Sequence, residues 1–147
     1  MIRTIVFVSF VAALVAVPAN AAPRAVRIDG RLIPALEAVE SRGNPRAVGD
    51  GGRAVGILQI HPSVVADVNR RYGTAYTLAH RWSAAHSRAI CRLYLTMYTP
   101  HIRRALGRNP TATDYARLWN GGPGGVRKGG TLAYAARVRN AMRRNGR

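Results

Sequence analysis

Residues 37–60 read Glu37-Ala-Val-Glu40-Ser41-Arg-Gly43-Asn44-Pro45-Arg-Ala-Val-Gly49-Asp50-Gly-Gly-Arg-Ala-Val-Gly56-Ile57-Leu58-Gln59-Ile60. Just upstream, Leu32, Ile33, Leu36 and Val39 recur at helical spacing. They give one apolar face, so the stretch opens on the end of a core-facing helix. Asp29 can cap that helix, and Pro34 is tolerable in its first turns. Gly43 and Asn44-Pro45 stop it. Residues 46–53 are glycine-rich and polar and read as a loop or small hairpin. Apolar sequence resumes at Ala54-Val55.

The remaining chain reads as further helices. Pro62-Ser63 opens one that runs to about Tyr72, with Val64, Val65 and Val68 inward. Residues 73–82 form a connection. Ser83 caps a long helix carrying Ile90, Leu93, Leu95 and Met97. Pro100 is expected to bend or end it, with a shorter helix continuing to Leu106. Thr113 is expected to cap a helix over Asp114–Trp119. Residues 121–130 are a glycine-rich loop, and Thr131 starts a last helix through Met142. The basic end, residues 143–147, is expected to fray. No internal repeat is present.

Length and composition frame this pattern. A chain of 147 residues, nearly half hydrophobic, can bury a real core as one domain. Met1-Ile2-Arg3, an apolar run from Ile5 to Val17, Pro18 and Ala19-Asn20-Ala21 have the order of a cleavable secretory signal peptide. The run is short for a bilayer span, although an uncleaved anchor is the alternative reading. Residues 1–21 are therefore expected to be a leader and residues 22–147 the exported domain, secreted or periplasmic. Cys91 is the only cysteine, so no internal disulfide can form. Its apolar helical setting suits a small buried hydrophobe rather than a reactive thiol.

The net charge is +17, and a cleaved leader would remove only Arg3. Such a surface seeks polyanions. For an exported chain these are anionic cell-envelope polymers and lipid head groups. Nucleic acid fits the charge. The leader and the lack of zinc-finger or RNP-type motifs argue against specific nucleic-acid recognition. The four histidines, His61, His80, His86 and His101, show no metal-ligand spacing, and no phosphate-binding glycine motif occurs. Neither a metal nor a cofactor is expected, and nothing signals an oligomer, so a monomer is expected.

Three pieces stand in order: Glu40-Ser41 with Asn44-Pro45, then Gly56-Ile57-Leu58-Gln59-Ile60, then Trp119-Asn120-Gly121-Gly122. This resembles the catalytic signature of lytic transglycosylases and goose-type lysozymes. Their pattern is Glu-Ser at a helix end, often Asn-Pro shortly after, then Gly-Leu-Met-Gln-Ile/Val, and transglycosylases also carry Ala-Tyr-Asn-x-Gly. The resemblance spans Arg31 to Val138 in element order. It implies a mainly α, lysozyme-like (α+β) fold: one compact helical domain with a small loop or hairpin region after the catalytic helix. It also implies peptidoglycan glycan strands as substrate, cut between N-acetylmuramic acid and N-acetylglucosamine.

The resemblance assigns Glu40 as general acid. A departing sugar oxygen needs a proton, and a carboxyl can hold one near neutral pH only if burial among apolar groups raises its pKa. Ile57, Leu58 and Ile60 are the expected apolar neighbours. Glu37, on the same helix face, is expected to be solvated or salt-bridged. Ser41, Leu58, Gln59, Trp119 and Asn120 become candidate substrate-binding residues. Trp119 stands where transglycosylases carry Tyr, whose hydroxyl lies near the acid. An indole can stack on a sugar but lacks that hydroxyl.

Asp50 divides two mechanisms. Gly49-Asp50-Gly51-Gly52 precedes Gly56 at the spacing of a goose-type lysozyme aspartate. An inverting hydrolase uses a second carboxylate to position water. The transglycosylase mechanism uses the substrate's own hydroxyl. Asp50 is thus a catalytic candidate for hydrolysis or an ordinary turn residue. A later goose-type aspartate is replaced here by His61. A non-enzymatic cationic wall- or membrane-binding protein on the same fold is the remaining alternative.

Overall fold

The computed structural model describes residues 28–146. The leader expected over residues 1–21, its cleavage point and the start of the exported domain lie outside the described residues.

Among the described residues, five α-helices carry the fold: α1 (Leu32–Ser41), α2 (Pro62–Tyr72), α3 (Ala84–Leu106), α4 (Ala112–Gly121) and α5 (Leu132–Arg144). A two-stranded hairpin, β1 (Val48–Gly49) with β2 (Ala54–Val55), lies between α1 and α2. Val48 pairs with Val55, and Gly49 with Ala54, antiparallel. The chain is mainly α with a small hairpin after the first helix, as the pattern predicted.

The apolar faces close on one core. Leu32, Leu36, Leu58, Ile60, Ile90, Leu95, Ile102 and Leu118 are fully buried. Burying each such side chain stabilises the fold by about 1.5–3 kcal/mol relative to exposure. α1 packs mainly on α5, α5 on α4, and α2 on α3. Cys91 is also fully buried, and burial pushes its thiol pKa up.

Helix ends follow local chemistry. The Asp29 carboxylate accepts the Arg31 N–H at 2.9 Å, closing the start of α1. At the other end Arg42 is left-handed (φ 55°), and the Gly43 N–H returns to the Glu37 carbonyl. This turn leaves Glu40 at the helix mouth.

Three details correct the sequence reading. α3 runs through Pro100 without a break. Proline removes the donor for Thr96 O four residues back, and Thr96 is exposed, so its carbonyl is open to solvent. α4 starts two residues earlier than expected because Thr111, not Thr113, is the cap. Thr111 Oγ1 accepts the Asp114 N–H at 3.4 Å, and Asp114 Oδ2 accepts the Thr111 N–H at 2.8 Å. α5 continues to Arg144, past the Met142 end expected.

Candidate active site

The Gly56–Ile60 segment is fixed first. Gly56 has φ +78°, and a Cβ there would stand 2.0 Å from the Arg81 carbonyl oxygen. Only glycine allows that approach. Arg81 is itself buried, and its guanidinium donates to Leu78 O, Arg53 O and Ile60 O at 2.9–3.0 Å. It staples the hairpin and the following turn to the connection before α3.

Gln59 is left-handed (φ 48°), and its amide donates to Ala47 O at 3.1 Å and Gly56 O at 3.0 Å. It braces the hairpin while lining the cleft. Ser41 Oγ donates to Ile57 O at 2.7 Å, tying the end of α1 to this turn. Its hydroxyl is engaged with backbone. Leu58 is fully buried in the core and presents no surface to the cleft.

The cleft, about 290 Å³, is lined by Glu40, Asp50, Gln59, His61, Trp119 and Asn120. Ala54 and Val64 add apolar wall. Five sequence candidates thus meet in one cleft: Glu40, Asp50, Gln59, Trp119 and Asn120. Trp119 is held edge-on to Tyr94, ring centroids 5.8 Å apart.

Glu40 is the best placed acid. The Tyr134 hydroxyl, from α5, donates to Glu40 Oε1 at 2.5 Å. Burial raises the Glu40 pKa above its ordinary value. Tyr134, the Trp119 indole N–H and the field of Arg137 pull the other way without reversing it. Tyr134 is itself buried, which pushes its hydroxyl pKa up and keeps it a donor. The Arg137 guanidinium lies 5.5 Å from the Tyr134 ring centroid.

Glu37 takes the salt-bridged option. It is buried, and both carboxylate oxygens accept from Arg88, at 2.6 and 3.0 Å. Asp50 is exposed and left-handed (φ 47°). Its carboxylate pairs with Arg53 at 2.8 Å and stands 3.6 Å from His61 Nε2.

Sequence reasoning missed Tyr134 and Arg137 altogether. The hydroxyl that Trp119 cannot supply comes instead from a residue 94 positions beyond Glu40. The only sequence signal was an aromatic on the inner face of the last helix. Apolar cover for Glu40 was expected from the Gly56–Ile60 turn. The aromatic neighbours that pair with it come from α4 and α5.

Among the described residues, no group of three potential ligands could hold a metal ion, and no helix is long and apolar enough to cross a membrane. No curated protein matches the chain. A family model described as the transglycosylase SLT domain matches residues 18–138. The chain belongs to this family, whose members are peptidoglycan lytic transglycosylases acting in the periplasm or extracellular space.

Proposed function

We propose that this SLT-domain chain cleaves the β-1,4 bond between N-acetylmuramic acid and N-acetylglucosamine, with Glu40 as the acid. One observation carries the reading: a desolvated carboxyl, its pKa raised, opens on a cleft while a tyrosine hydroxyl holds one of its two oxygens.

The chemistry follows from that arrangement. Tyr134 occupies Oε1, so the transferable proton rides on Oε2. Glu40 donates it to the glycosidic oxygen as the C1–O bond breaks, and positive charge develops at C1. The resulting carboxylate is stabilised by Tyr134, Trp119 and Arg137. It then takes the proton of the substrate's own C6 hydroxyl, whose oxygen bonds to C1. The product carries a 1,6-anhydro end, and Glu40 is protonated again. Trp119 offers a face for a sugar ring, and Gln59 and Asn120 offer amides to its hydroxyls. Ser41 and Leu58 contribute through the frame, by holding the turn that carries Gln59.

A second reading rests on Asp50 and His61, which line the same cleft. There Asp50 would position water, and the product would carry a free reducing end. Export by a leader over residues 1–21, with residues 22–147 as the catalytic domain, suits both readings. So does attraction of the +17 chain to anionic envelope polymers.

The test is release of soluble fragments from purified peptidoglycan by wild type, Glu40→Gln and Asp50→Asn. Loss of release in Glu40→Gln alone, with the fold retained, supports transglycosylation. Comparable loss in both variants favours hydrolysis, and undiminished release by Glu40→Gln overturns both.

A further inference from the structure

At the end of α1 remote from the cleft, the chain forms a second hollow of about 180 Å³. α1 and α5 run antiparallel, so Glu40 meets Tyr134 while Arg31 lies beside the last turn of α5. Nine residues of helix separate Arg31 from Glu40, about 13 Å along the axis.

Three arginines line this hollow: Arg31, Arg139 and Arg143. Ala112 and Thr113, the first two residues of α4, close it, and Val138 and Met142 form an apolar floor. Among the described residues, no acidic residue lines it. Arg31 shares its charge with Asp29 at 2.8 Å, and Arg143 donates only to the neutral Asn140 side chain. Among the described residues Arg139 and Arg143 form no ion pair with a carboxylate. The carboxylate on the first turn of α4, Asp114, is held by Arg108 at 2.6 Å and by Thr111. It does not compensate Arg139 or Arg143.

Arg139 and Arg143 bring like charge to this hollow with no carboxylate partner among the described residues, and an anion would offset it. The lining residues come from the start of α1, from α4 and from α5. One guanidinium fork satisfies a carboxylate, whereas several donors around a point suit an anion with oxygens on every side. Ala112 and Thr113 line the same hollow, and their N–H groups lack intrahelical partners by position.

We propose that this hollow is a binding site for a phosphate group, free or carried by a longer polymer. The site is distinct from the cleft. A phosphate-bearing strand held there would anchor the protein while the cleft stays open.

The experiment is an NMR titration of the protein with inorganic phosphate, at ionic strength held constant with sodium chloride. Saturable shifts are expected at the Ala112 and Thr113 amides and the Arg139 Nε–H. Arg139→Gln/Arg143→Gln should weaken binding at least about tenfold, the loss of one charge-assisted hydrogen bond or more. Arg92→Gln/Arg104→Gln removes equal charge elsewhere and should leave the affinity unchanged. A glycerol-phosphate oligomer that binds more tightly at the same residues would identify the phosphate as polymer-borne. Weaker oligomer binding would assign the site to the free ion. Shifts that fail to saturate, or that fall equally in both double variants, overturn the proposal.

Discussion

Replacing Tyr134 by Phe deletes one oxygen and leaves the ring packing in place. That oxygen donates to Glu40 Oε1 at 2.5 Å inside a mostly buried site. A hydrogen bond to a charged group contributes about 1.5–3 kcal/mol. The bond is strongest when Glu40 is ionised, which is the state it reaches as it gives up its proton. The loss therefore falls on the transition state more than on the resting acid. At about 1.4 kcal/mol per decade, kcat/KM should drop about 10- to 100-fold. The pH profile should move as well. Tyr134 opposes the rise that burial imposes on the Glu40 pKa, so its removal lets that pKa climb further. The alkaline limb, where the acid is lost, then shifts to higher pH. The assay is the initial rate of muropeptide release across pH, with circular dichroism to check folding. A Tyr134→Phe enzyme with wild-type kcat/KM and an unmoved alkaline limb would refute the assigned role of this hydroxyl.

Other substitutions probe the same frame. Glu40→Gln should abolish release yet raise the melting temperature by a few degrees at about pH 8. Burial places the folded pKa above the unfolded one, so the stability that the neutral acid contributes is complete below the unfolded pKa. It is lost as pH rises through the folded pKa, and the gain from Gln should vanish at about pH 4. Arg137→Met should shift the alkaline limb of the rate profile to higher pH, because the guanidinium near Tyr134 and Glu40 favours the carboxylate. An unchanged limb would show that its field does not reach Glu40. Gly56→Ala should cost more than about 3 kcal/mol in urea unfolding, since it combines a positive φ with a Cβ 2.0 Å from a backbone oxygen. A loss below about 1 kcal/mol would mean that the turn relaxes freely.

Much of this architecture was legible because it is local. The spacing of Leu32, Leu36 and Val39 gave α1, and Gly56 through Gln59 marked the turn beneath the cleft. Glu37 and Glu40 lie three residues apart on one helix, yet their fates differ through partners on other helices. Arg88 of α3 takes Glu37, and Tyr134 of α5 takes Glu40. No local pattern encodes such long-range pairing. Leu58 was read with the site because its motif position suggested contact. The tight turn at Gly56 and Gln59 sends that side chain inward. The Thr111 cap was legible but unread: Thr111 and Asp114 have capping-box spacing, which outweighs the bare hydroxyl of Thr113.

The most direct test is mass spectrometry of the glycan ends released from purified peptidoglycan by wild type and Glu40→Gln. The account predicts 1,6-anhydro ends from wild type and none from the variant. Free reducing ends from wild type would contradict the proposed transglycosylation and make Asp50 the residue to change next. Equal release by both proteins would contradict Glu40 as the acid.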